Sequence, residues 1–119
     1  MTRHHRIDYI EIPVTDMAAS KAFYAGAFGW AFADYGPGYA GIQDPDPERD
    51  GEIGGLYEGP PVVPGGALVI LYSDDLAASE AAVRSAGGEI SKPIFEFPGG
   101  RRFQFRDPNG HELGVWSDR

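Results

Sequence analysis

A chain of 119 residues with 42% hydrophobic residues is long enough for one domain with a real core, and no run approaches membrane length. Ten basic against eighteen acidic residues give a formal net charge of -8, which argues against wholesale binding to nucleic acid. The absence of cysteine excludes disulfides, thiolate metal sites and a cysteine nucleophile. No signal-type apolar segment follows the basic start Met1–Arg6, so a cytoplasmic location is expected.

Alternation from Ile7 to Val14 predicts a strand, with Ile10, Ile12 and Val14 on one face and Tyr9 and Glu11 on the other. Asp16 is a candidate N-cap for a helix over Met17 to Phe28, in which Ala19, Phe23 and Ala27 share a face beside Tyr24 and Phe28. Gly29 stops that helix. Short strands are predicted at Trp30 to Tyr35, Tyr39 to Gln43 and Ile53 to Tyr57, with a Pro- and Asp-rich loop between the last two. Gly59 to Gly66 reads as a linker.

The pattern then restarts. Ala67 to Tyr72 reads as a strand and Asp75 caps a helix through Ala86, stopped by Gly87-Gly88. Strands are predicted at Glu89 to Lys92, near Phe95 to Phe97, at Arg102 to Arg106 and at His111 to Ser117. Asp107-Pro108-Asn109-Gly110 is a tight turn, because Pro presets φ and Asn or Gly accepts a positive one. Beyond it Leu113 and Val115 suit a helix-covered core, while Glu112, Gly114 and Trp116 face the other way.

The restart is an internal repeat. Asp16-Met17-Ala18-Ala19-Ser20 returns as Asp75-Leu76-Ala77-Ala78-Ser79, an offset of 75 − 16 = 59. Each copy reads strand, helix, then three strands. The expected organisation is one α+β domain over 1–119, with units at about 7–58 and 67–117 and a linker at 59–66.

Two such βαβββ units, the Phe23-Tyr24 pair and the Asp107–Gly110 turn before the last strand resemble the vicinal oxygen chelate superfamily. This is the glyoxalase, bleomycin-resistance and extradiol-dioxygenase group. Glu11-Ile12-Pro13-Val14 and the Phe28-Gly29-Trp30 helix exit are most similar to small bacterial members related to lactoylglutathione lyase. The resemblance implies a cup-like mixed sheet with the helices outside, and a homodimer. It also implies a divalent metal held by His, Gln or Glu from the first and last strands of each unit. The positions that match those ligands hold Tyr9, Gly55, Leu68 and Gly114, so no metal or other cofactor is expected.

Other candidates come from the residues themselves. His4 and His5 are adjacent and near the terminus, and His111 follows the turn; all three read as structural or solvated. Glu11 and Glu112 are predicted on the concave face. There each either pairs with Arg102 or Arg106, or acts as a catalytic general base with a raised pKa. Tyr9, Tyr72 and Trp116 project to the same side and are candidate ligand-binding residues, as aromatic clefts with a few polar groups suit small molecules. Three functions follow: a metal-independent small-molecule binder of drug-binding type, a glyoxalase-type lyase or isomerase using Glu11 or Glu112 with or without an atypical divalent metal, or a non-catalytic dimeric accessory module. A membrane or nucleic-acid partner is not expected.

Overall fold

A computed structural model describes residues 7–61 and 67–119. His4, His5 and most of the predicted linker lie outside the described residues. The elements run β1 (Ile10–Val14), α1 (Met17–Phe28), β2 (Phe32–Asp34), β3 (Tyr39–Gln43), β4 (Glu52–Glu58), β5 (Ile70–Tyr72), α2 (Leu76–Ser85), β6 (Glu89–Phe97), β7 (Gly100–Arg106) and β8 (Glu112–Ser117). They form two four-stranded mixed sheets, ordered β1-β4-β3-β2 and β5-β8-β7-β6. In each sheet the first strand runs parallel to the last and the other pairings are antiparallel.

The repeat holds at the level of register. Glu11 pairs with Gly55 in the first sheet and Ile70 with Gly114 in the second, and both members of the second pair lie 59 positions on (70 − 11 and 114 − 55). The helices start alike. The Asp16 carboxylate accepts from the Ala19 amide at 3.0 Å, and the Asp75 carboxylate from the Ala78 amide at 3.1 Å. Each side chain thereby satisfies one otherwise orphaned donor of a first helical turn.

Boundaries differ from expectation in several places. β1 starts at Ile10 rather than Ile7 and β5 at Ile70 rather than Ala67. β6 is one strand through Pro93 instead of two pieces. Pro93 is tolerated because β6 is an edge strand whose register shifts between Lys92 and Phe95. On α1, Ala19 is exposed and Ser20 is buried in its place. The Ser20 hydroxyl donates to the Asp16 carbonyl at 2.7 Å and accepts from the Asn109 amide at 3.0 Å, so its burial leaves no unmet polar group.

The core is shared unequally between the sheets. Phe23 and Tyr24 of α1 pack in one cluster with Leu76 and Val83 of α2 and with Phe103, Phe105, Leu113 and Val115 of the second sheet. The first sheet has a smaller cluster of Ile12, Val14, Met17, Ala40, Ile42 and Leu56. Trp30 and Phe32 touch both. The helix of the first unit thus packs through Met17 against its own sheet and through Phe23 and Tyr24 against the sheet of the second. Ridge-like burial of two large aromatics there is worth about 1.5–3 kcal/mol each.

The Asp107–Gly110 turn fastens the units together. Asp107 is buried, and its carboxylate accepts from the Asn109 and His111 amides, both at 2.9 Å, and from the Tyr24 hydroxyl at 2.9 Å. Asn109 in turn accepts from the Thr15 amide at 2.6 Å. Gly110 supplies the positive φ of 95° that closes the turn. His111 meets the Pro13 carbonyl through its Nε2, a structural role across the two units.

Candidate functional site

Each sheet turns one face to the helices and leaves the other open. On the first sheet, the alternation that buries Ile12, Val14, Ala40, Ile42 and Leu56 puts Tyr9, Glu11, Tyr39, Gly41 and Gly55 on the open face. There the Tyr9 and Tyr39 hydroxyls are hydrogen-bonded to each other, and the Tyr39 hydroxyl donates to Glu11 Oε2 at 3.0 Å. The pair lies directly over Gly55: a Cβ at that position would be 2.1 Å from the Tyr39 hydroxyl oxygen and 2.7 Å from that of Tyr9. The Tyr9 bond, then burial, then Glu11 raise the Tyr39 pKa above the ordinary phenol value.

A second carboxylate joins through a bulge. The register of β3 and β4 shifts between Ile42 and Gln43, and the Glu52 carboxylate lies over Gly41, where a Cβ would be 2.1 Å from its Oε2. The Tyr35 hydroxyl donates to Glu52 at 2.6 Å, which raises the Tyr35 pKa. Tyr35 and Tyr39 are 6.3 Å apart by ring centroids, so the two phenol–carboxylate pairs are neighbours. An open cleft of about 530 Å³ lies beside them, lined by Tyr35, Glu52, Gln43, Asp44 and Asp50 among others.

The open face of the second sheet is different. Arg102 stands opposite Trp116 across β7 and β8 and opposite Phe95 across β6 and β7. Its guanidinium carbon is 5.2 Å from the Phe95 ring centre and 5.7 Å from that of Phe97. Tyr72 meets Trp116 edge to face at 5.2 Å, and the Tyr72 hydroxyl donates to Asp118 at 2.7 Å. Glu112 accepts from the Ser91 hydroxyl at 2.6 Å. That bond holds its carboxyl below the usual range; burial opposes it, and Gln104, Arg106 and Lys92 reinforce it.

The expected ion pairs do not form. Glu11 is bonded by a phenol and Glu112 by a serine, while Arg106 pairs with Glu89 at 3.0 Å and Arg102 lies against rings. The raised pKa expected of an unpaired Glu112 is replaced by a lowered one, because a hydroxyl donor favours the charged form. Tyr9 joins Glu11, and Tyr72 joins Trp116, but the hydrogen bonds and ring contacts make two groups, one per sheet. Sequence reasoning missed Tyr39, Tyr35 and Glu52. Tyr39 alternates with the apolar Ala40 and Ile42, a signal that could have put it beside Glu11. Glu52 gave no such signal, since only the bulge brings it to this face.

The family's model matches residues 6–115 with the description glyoxalase/bleomycin resistance protein/dioxygenase superfamily. The chain belongs to that superfamily. Two curated relatives, "Putative glyoxylase CFP32" from strains of Mycobacterium bovis and Mycobacterium tuberculosis, are 29% identical over 115 residues. The match covers 92% of this chain but 44% of theirs, so the chain spans less than half the length of these relatives. A glyoxalase-related enzyme from Fulvimarina pelagi shares the fold at a TM-score of 0.78 and 23% identity, covering 95% of this chain and 88% of that one. TnmS3, an antibiotic binding protein from Streptomyces sp. CB03234, does so at a TM-score of 0.71 and 21% identity, covering 98% of both chains.

The superfamily's metal can be tested against these residues. At the matching positions Gly55 and Gly114 offer no side-chain donor and Leu68 is aliphatic. The space above Gly55 is taken by the two phenols. Among the described residues no three His, Cys, Asp or Glu side chains converge as a metal would need. The donor set does not fit the usual site.

Proposed function

We propose that this superfamily member binds a small organic molecule on its open sheet faces, without the usual metal. The observation that carries the reading is the Tyr9–Tyr39–Glu11 network above Gly55. Hydrogen-bonding groups stand there in place of metal ligands, with the accessible Tyr9 ring among them, 41% exposed, while Tyr72 offers an accessible ring on the second sheet, 48% exposed. Aromatic walls with few polar groups suit a planar organic ligand. The antibiotic-binding neighbour supports this reading. Sequestration needs no reacting group.

The enzymatic alternative draws on the relatives' name and on Glu11 and Glu112. Glu112 suits it poorly as a base, because its lowered pKa makes it a weaker proton acceptor. Glu11 is the better candidate.

Two measurements test the proposal. Elemental analysis of protein purified without added metal is expected to show no stoichiometric transition metal. Near-stoichiometric Zn, Ni, Mn or Fe, lost in Glu11→Gln/Glu112→Gln, would overturn that part. Titration with a panel of planar heteroaromatic compounds is expected to quench Trp116 where a compound binds the second sheet, and to weaken in Tyr39→Phe where it binds the first. A silent panel with an accessible Trp116 would remove the main support.

Assembly and location complete the reading. Ile10, Ile53, Leu68 and Ile70 are exposed apolar side chains, which suits a C2 homodimer. Light scattering that gives only monomer at micromolar concentration would exclude it. No helix among the described residues is long and apolar enough to cross a membrane, and a cytoplasmic site of action is part of the proposal.

A further inference from the structure

Among the described residues, five arginines reach an oxygen acceptor. Arg49 meets Asp44, Arg84 meets Glu80, Arg106 meets Glu89, Arg119 meets Asp74, and Arg101 donates to the Arg119 carbonyl. Arg102 is the exception. Its Nε is buried without a hydrogen-bond partner, and its guanidinium rests against Phe95 and Phe97. In a chain of net charge -8, a guanidinium left without a carboxylate is an unspent binding group. A buried donor without an acceptor is unfavourable, and the terminal nitrogens of the same guanidinium, which are not buried, can meet an incoming oxyanion.

The surroundings narrow the ligand. Arg102 faces Trp116 across the β7–β8 ladder, and Phe97 and Tyr72 flank that indole at 6.3 and 5.2 Å. The rings hold the guanidinium in place from one side. A guanidinium fork matches the two oxygens of a carboxylate, and the indole offers a flat apolar surface for the body that carries it. We propose that Arg102 with Trp116 forms a subsite for the carboxylate of a planar aromatic acid. This rests on the small-molecule reading above and adds the charge and shape of the ligand.

The test compares matched probes on the full chain: 2-naphthoate and its neutral amide, 2-naphthamide. Binding is followed by calorimetry and by the Arg102 Nε–H resonance. The expected result is a saturable shift of that resonance with 2-naphthoate. Affinity should fall roughly tenfold or more in Arg102→Gln, with a partial loss in Arg102→Lys, which keeps charge but not the fork. Binding of 2-naphthamide should be little changed by either substitution. Circular dichroism of both variants separates a lost subsite from a lost fold, and the wild-type resonance needs no variant at all. Equal affinity for acid and amide, with the Nε–H unmoved, would overturn the subsite while leaving the small-molecule reading intact. Failure of both probes to bind would overturn both.

Discussion

The two units share a plan and differ in what they do with it. They keep one register, with Glu11 opposite Gly55 and Ile70 opposite Gly114, and one helix cap, Asp16 and Asp75. Yet the first sheet opens onto phenols and carboxylates, and the second onto rings and a guanidinium. The helix side is unequal too, since the second sheet takes Phe23 and Tyr24 from the first unit's helix. Backbone pairing tolerates wide changes in the outward side chains, because alternation keeps the two faces independent. Repeats can therefore hold a fold constant while the open faces diverge.

The largest expected effect tests the shared core. Phe23→Ala removes a side chain that is 2% exposed and packed against Phe105 at 6.0 Å between ring centres. It should cost about 3–5 kcal/mol in urea unfolding. If α1 serves the second sheet as described, hydrogen exchange should quicken most at the Phe103 and Phe105 amides. Faster exchange confined to β1 and β4 would contradict that division of the core.

The turns come next. Asp107→Ala strands the Tyr24 hydroxyl and two backbone amides, at a cost of about 3 kcal/mol. Its repeat mate, 107 − 59 = 48, is the exposed Glu48, and Glu48→Ala should stay within about 0.5 kcal/mol. Equal costs would mean that the turns are equivalent after all.

A third pair concerns the glycines at the two matched ligand positions. Gly55→Ala drives a methyl into the Tyr9–Tyr39 pair, whereas Gly114→Ala meets its nearest neighbour, Ile70, at an ordinary 3.5 Å. The tyrosine side chains can move, so about 1 kcal/mol is expected for the first and less for the second. Ligand affinity should fall only with the first if the phenol network binds. A matched loss in both would place the binding elsewhere.

How far these differences could be read from the sequence depends on the range of the interaction. The capped helices, the turn and the repeat were legible because Asp16, Asp75 and Asp107-Pro108-Asn109-Gly110 act on near neighbours. Alternation placed Leu113 and Val115 in the core and Glu11 on the open face. What alternation cannot supply is a partner from another strand. Glu112 found Ser91 rather than an arginine, two strands away on β6, whose register against β7 shifts between Ile90 and Lys92. Glu52 reached Gly41 only through a bulge.

The smallest effect is a pH contrast between the two faces. Glu112 has a folded pKa below its ordinary value, chiefly through Ser91. Its contribution to stability is therefore full above the usual carboxylate range and is lost as pH falls through the lowered value. Tyr39 has a folded pKa above its ordinary value, chiefly through Tyr9. Its contribution is full below the usual phenol value of about 10 and is lost as pH rises beyond it. Ser91→Ala should flatten the acid limb of the stability–pH curve and move the Glu112 carboxyl resonance midpoint upward, leaving the alkaline limb alone. Tyr39→Phe should do the reverse, although Tyr24, raised by burial and by Asp107, will keep part of the alkaline slope. Each side chain is held by groups of its own sheet, so the two changes should add in the double variant. A Ser91→Ala change that shifted the alkaline limb would show the open faces to be coupled, and the division into two groups would fail.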